Sequence, residues 1–147
     1  MNDSPRHSVS VAAAIVADDG RTLAIQRRDN SHWEPPGGVL EHGETIDQCL
    51  VREVFEETGL TVEAERLTGI YQNMTRDVVA LVYRCHIRRG TIRTTDESRD
   101  VAWLTTGQIT ERMDEAYAVR LLDAHRDPAL GPATRTHDGV RLAAAPM

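Results

Sequence analysis

The chain has 147 residues, 40% hydrophobic and 27% charged, the usage of an ordinary globular domain and enough length for a single core. A formal net charge of −6 argues against a partner held by phosphate neutralisation over a wide surface, so no nucleic acid is expected; no apolar run reaches the roughly eighteen residues of a membrane span, so no membrane is expected either. All 17 basic residues are Arg, which reads as the coding bias of a GC-rich genome, and an anionic substrate must be met locally, by clustered arginines or a metal ion.

Residues 1–7 are polar, contain Pro5 and lack an apolar signal segment, so they read as a flexible leader on a cytoplasmic protein. Residues 8–17 (SVSVAAAIVA) read as a strand, Asp18-Asp19-Gly20 as a turn and residues 22–27 as a second strand, together a predicted hairpin. Arg27, Arg28 and Asp29 lead into a loop with His32 and Trp33. Pro35-Pro36-Gly37-Gly38 then breaks the chain and allows close backbone approach at the glycines.

Thr45 followed by Gln48 is a capping-box signal, so a helix is predicted to start there and to stop at Gly59. On it Glu53, Glu56 and Glu57 stand at i, i+3 and i+4 and project from one face. Ile46, Cys49 and Leu50 precede them by seven residues, so that face begins apolar and ends acidic. A structural helix would continue the apolar stripe, and neighbouring like charges repel, so the acidic end points to a bound cation.

Further on, residues 60–63 lead to predicted strands at 67–74 and 78–87, a charged stretch at 91–100 and a short final strand at 101–104, with Trp103 in the core. Residues 110–126 read as a second helix with an apolar stripe of Ala116, Val119, Leu121 and Leu122. After Asp127 prolines and glycines interrupt the pattern, so 128–147 is expected as an extended tail or an arm packing on a neighbour, which leaves a homodimer open. Cys49 and Cys85 form no CxxC pair and read as buried thiols of a reducing compartment. The six histidines show no metal-ligand spacing, so no zinc site is expected.

Gly38, Glu44 after a five-residue gap and, after seven more, Arg52-Glu53-Val54-Phe55-Glu56-Glu57-Thr58-Gly59-Leu60 resemble a complete Nudix box, the signature of MutT-like Nudix hydrolases. The resemblance implies one domain over 8–127, an α/β (α+β) fold of the α/β/α sandwich type with a mixed β-sheet between helices. It also implies a pyrophosphohydrolase acting on a nucleotide-type small molecule, a nucleoside diphosphate linked to another moiety. Mg²⁺ is the implied cofactor, with Mn²⁺ as a substitute. Glu53, Glu56 and Glu57 would hold metal with the Gly38 carbonyl, and one of them or a glutamate outside the box would accept the proton of the attacking water. Arg52 and Glu44 would orient those carboxylates. Glu97 resembles the off-box glutamate that many relatives bring to the metal, with Asp96 and Asp100 as competitors. Arg27 and Arg28 stand where relatives place a phosphate-binding arginine, and Trp33 is a candidate for stacking on a base or ring, or for covering the core.

The chemistry of the residues agrees, because Mg²⁺ takes few protein carboxylates and completes its octahedron with water and phosphate oxygens. Two other classes stay in view: a Nudix-fold nucleotide sensor or scaffold without turnover, and an isomerase of isoprenoid diphosphates, for which no additional Cys and Glu elements are found. No proline stands at the spacing associated with ADP-ribose hydrolases, and the aromatic-proline signature of NADH-cleaving relatives is absent. Nucleoside triphosphates are therefore the first expectation, with nucleotide sugars and dinucleoside polyphosphates open.

Overall fold

The structure is a computed structural model and describes residues 4–144. Two sheets form its centre. The larger is mixed, in the order β4-β1-β6-β5-β8, with β1 Ser8–Ile15, β4 Gly37–Val39, β5 Leu60–Asn73, β6 Val78–Gly90 and β8 Ala133–His137. The smaller is antiparallel, in the order β3-β2-β7, with β2 Thr22–Arg27, β3 Trp33–Glu34 and β7 Ser98–Leu104. Helix α1, Ile46–Thr58, packs against one side, and α2 Thr106–Arg112 with α3 Glu115–Leu122 against the other.

Strand β1 shows how the sequence builds this sandwich. Val11, Ala13 and Ile15 join the cluster of Cys49, Leu50 and Val54 from α1, whereas Ala12 and Ala14 join the cluster of Ile109, Ala118 and Leu121 from the opposite helices. Because side chains alternate across a strand, a continuous apolar run is what a strand covered on both faces requires. Burial of Leu50 or Val54, both at 0% exposure, contributes about 1.5–3 kcal/mol each.

Helix α1 starts and ends where its caps dictate. Thr45 accepts from the Gln48 backbone N–H while the Gln48 side chain accepts from Thr45, and Gly59 closes the helix at φ 82°, a left-handed conformation that favours glycine.

Three expectations are corrected. Strands β1 and β2 do not form a hairpin: after the Gly20 turn and one bridge between Val16 and Thr22 they part into different sheets. Both faces of β1 need covering, and its edges are taken by β4 and β6. The predicted helix over 110–126 is two helices, because a second capping box at Thr105 and Gln108 starts α2 early and Met113 and Asp114 adopt extended backbone between them. The chain after Asp127 is not an extended free tail over its described part: β8 lies parallel to Gly69–Asn73 of β5 and closes that edge. Residues 1–3 of the expected leader and 145–147 of the expected tail lie outside the described residues.

Candidate active site

The glycine loop and α1 bring the box together. Gly37 and Gly38 lie on β4, paired with Ala12 and Val11 of β1. A Cβ on Gly38 would fall onto the Glu53 carboxylate, and one on Gly37 would strike the backbone of β1. Gly37 therefore needs glycine for close approach to the β1 backbone, whereas a side chain at Gly38 would displace the Glu53 carboxylate from its place. The Gly37 N–H donates to Glu57 Oε1 at 3.0 Å, which orients a carboxylate that is only 4% exposed.

Ligand oxygens of Glu53, Glu57 and Glu97 lie within 4.8 Å of one another. Glu97 reaches the trio through a strap between β7 and the end of α1. Ser98 donates to the Glu57 carbonyl at 2.7 Å, Thr95 Oγ1 accepts the Glu97 N–H at 3.1 Å, and the Arg28 N–H donates to the Glu97 carbonyl at 3.1 Å. Asp96 lines the same cleft, while Asp100 accepts the neighbouring Val101 N–H. Glu56 is exposed, lies outside the trio and faces Arg52 Nη1 at 3.5 Å.

Arg52 is the counter-charge. It forks onto Glu44 at 2.8 and 3.0 Å and donates to Glu53 Oε1 at 2.9 Å. This fork holds the Glu44 carboxyl down at about 2. Burial pushes Glu57 up to about 9, with the Gly37 N–H opposing and Glu53, Glu34 and Glu97 adding to the rise. Glu53 is raised too, by burial first, against the pull of Arg52. Such a knot of carboxylates suits a hard divalent cation, whose charge compensates it and whose preference is for oxygen ligands.

Two clefts meet beside this cluster. One, about 490 Å³, is lined by Gly37, Gly38, Glu53, Glu57, Asp96 and Glu97, together with Arg27, Arg28 and Asp29. The other, about 620 Å³, includes Arg27, Asp29, Trp33, Glu34, Asn73 and Tyr117 in its wall. Arg27 and Asp29 belong to both. Arg27 is paired with Asp29 at 2.7 Å and with Glu34 at 3.1 Å. Arg28 donates from Nε to the Thr95 carbonyl at 2.6 Å, so part of its guanidinium steadies the strap. Trp33 carries Arg112 at 5.4 Å from its ring centre. Trp103 is half-buried against the α1-side core.

Three groups at this site are not singled out by sequence pattern. Glu34 has as its signal only its place, a charged residue directly before the Pro-Pro-Gly-Gly breaker; burial holds its carboxyl above the ordinary range while Arg27 pulls it down. Gly37 reads as part of a breaker, and its N–H turns out to orient Glu57. Ser98 carries no sequence signal beyond following Glu97.

A NUDIX domain model matches residues 6–124. A MutT-like protein of Streptomyces ambofaciens is 56% identical over 138 residues, which cover 94% of this chain and 88% of that protein. An ADP-ribose pyrophosphatase of Methanocaldococcus jannaschii is 31% identical over 101 residues, 64% of this chain and 60% of the relative. Among solved structures, a NUDIX hydrolase from Nitrosomonas europaea matches with a TM-score of 0.71 at 26% identity, covering 82% of this chain and 89% of that one. With a domain match over most of its length and a relative alike almost end to end, the chain belongs to the NUDIX family and is a Nudix hydrolase.

Proposed function

We propose that this enzyme is a cytoplasmic, Mg²⁺-dependent pyrophosphohydrolase of nucleoside diphosphate derivatives, with nucleoside triphosphates as its first substrates. The observation that carries the proposal is the carboxylate trio of Glu53, Glu57 and Glu97 lining a cleft that shares Arg27 and Asp29 with a larger polar cleft. A diphosphate lying past Arg27 would put its phosphorus beside the carboxylates and its remaining moiety in the larger cleft.

Glu53, Glu57 and Glu97, with the Gly38 carbonyl, would hold the cation. When bound, it neutralises the diphosphate and lowers the pKa of a coordinated water. The chain's own groups do the rest. Gly37 and Arg52 keep Glu57 and Glu53 aimed before substrate arrives, which lowers the reorganisation needed at the transition state. Arg27 exchanges part of its pairing with exposed Asp29 for phosphate oxygen, a geometry its fork suits. One of the box glutamates, or Glu97 outside the box, would take the proton of the attacking water, a role that requires a carboxylate within hydrogen-bond reach of that water. The new bond is water oxygen to phosphorus, and the bridging oxygen leaves with the electron pair on the released phosphate.

A substrate panel with Mg²⁺ tests this, read as phosphate, pyrophosphate and nucleotide. Pyrophosphate and nucleoside monophosphate from a triphosphate are the expected products; no product from any panel member would overturn the reading. A second reading, hydrolysis of ADP-ribose to AMP and ribose phosphate, is favoured by the archaeal relative with that name and is decided in the same panel.

A further inference from the structure

The NUDIX match ends at residue 124, yet the chain beyond it is built into the larger cleft. Arg135 of β8 forks onto both oxygens of Asp123 at 2.7 Å, and the Tyr71 hydroxyl donates to the same carboxylate at 2.8 Å. Asp123 is buried, so this three-way bond anchors β8 firmly to β5 and to the turn after α3.

The turn that follows β8 is secured from three sides. Thr75 donates to the Asp138 carbonyl at 3.0 Å, the Ala116 N–H of α3 to the Val140 carbonyl at 2.9 Å, and the Met74 N–H to the His137 carbonyl at 2.9 Å. Within the turn, Asp138 Oδ1 accepts the Val140 and Arg141 N–H groups at 2.9 and 2.8 Å. The His137 ring accepts the Gly139 N–H at 2.9 Å. A solvated tail needs no such anchoring. Its result is that Asp138, Gly139 and Val140 form part of the cleft wall, with the Val140 side chain left half exposed.

We infer that the turn at 138–140 is the wall that selects the nucleoside moiety, resting on the hydrolase reading above for the class of ligand. The neighbouring wall offers the Arg76 guanidinium and the Thr75 hydroxyl oxygen as an acceptor, its proton and the Asn73 side-chain oxygen being engaged within the wall, and Val140 supplies one apolar contact for a ring. Those groups suit a hydroxylated, ring-bearing moiety and disfavour an acyl or isoprenoid chain. The box handles phosphate for any such substrate; the C-terminal strand and turn discriminate what the phosphate carries.

The test uses the full chain and four probes, AMP, GMP, UMP and CMP, with binding measured by calorimetry in the presence of Mg²⁺. Val140→Trp narrows the cleft and Asp138→Ala releases the turn, while Asp138→Asn keeps the acceptor for Val140 and Arg141. The expected result is a preference among the four in the wild type, weakened or reordered by about tenfold in Val140→Trp and less in Asp138→Ala, and restored in Asp138→Asn. Mn²⁺ affinity, read by electron paramagnetic resonance, stays within about twofold in every variant, and melting shows each to be folded. Unchanged affinities and order in both disruptive variants overturn the inference, as does a wild type that binds none of the four. Nucleotide binding that responds to Val140→Trp without turnover of any substrate leaves the wall standing and removes the hydrolase reading.

Discussion

The two clefts differ in how they are made. The catalytic one centres on Gly37, Gly38, Glu53 and Glu57 from one loop-and-helix segment, to which residues 27–29 and 96–97 add a rim and the third carboxylate, Glu97. The larger one gathers residues 27–34, 73–76, 112–117 and 138–140 from four parts of the chain. Their charges differ as well. Burial holds Glu53 and Glu57 of the first above the ordinary carboxylate range, whereas Arg27, where the two clefts meet, is already matched by Asp29 and Glu34. The reaction centre is thus local and electrostatically strained, and the recognition centre is distributed and nearly neutralised. This division lets a family keep one chemistry while its outer walls change.

The largest expected effect breaks the strained side. Glu57→Gln keeps an oxygen for the Gly37 N–H but removes a metal-binding charge, and should lower turnover by more than about a hundredfold. It should also stabilise the fold. Because the Glu57 pKa is raised from 4.5 to about 9 in the folded chain, the unfolded chain releases its proton first. Stability is therefore lost as pH rises from 4.5 towards 9. In the metal-free protein the variant should melt roughly 5 °C higher at pH 8 and about level with wild type near pH 4. A variant that melts no higher at pH 8 would show that the cluster is not strained.

Next comes the distributed side. Arg135→Met leaves Asp123 buried with only the Tyr71 hydroxyl as partner and should cost about 2–3 kcal/mol, seen in urea unfolding. Mn²⁺ affinity should not move, since α1 and β4 are untouched; a parallel loss of metal binding would mean that the two clefts are not separable.

Glu97 reaches the catalytic cleft from outside the loop-and-helix segment, and a smaller effect is expected there. Glu97→Gln should weaken Mn²⁺ binding by about tenfold and lower turnover similarly. Retention of most wild-type turnover at saturating Mg²⁺ would remove Glu97 from the metal site. The smallest effect belongs to Trp33→Ala, which should raise KM by about threefold with kcat almost unchanged, because the ring lines only the recognition cleft. Equal falls in kcat and kcat/KM would instead put Trp33 at the reacting phosphate.

The features legible in the sequence are those governed by short-range geometry. Thr45 with Gln48 and Gly59 mark the bounds of α1 because capping bonds span three or four residues. The same rule starts α2 at Thr105 and Gln108, a signal masked by the apolar stripe that makes 110–126 look like one helix. Partner choice among strands is not legible in this way. Gly20 announces a turn, but whether β1 and β2 pair depends on which edges β4, β6 and β7 occupy.

By itself, the sequence determined the acidic face: Glu53 and Glu57 are neighbours on any helix that Thr45 starts, and Gly38 is spaced to meet them. Tertiary structure decided that Glu97 completes the trio while Glu56 stays outside it, because the Ser98 bond to the Glu57 carbonyl and the packing of Val101 and Trp103 on the α1-side core set β7 against α1. It also decided that a segment rich in Pro and Gly becomes β8 and a cleft wall. The free edge of β5 and the buried Asp123 carboxylate need partners, and no local pattern in residues 128–144 discloses which strand edge or charge they will meet.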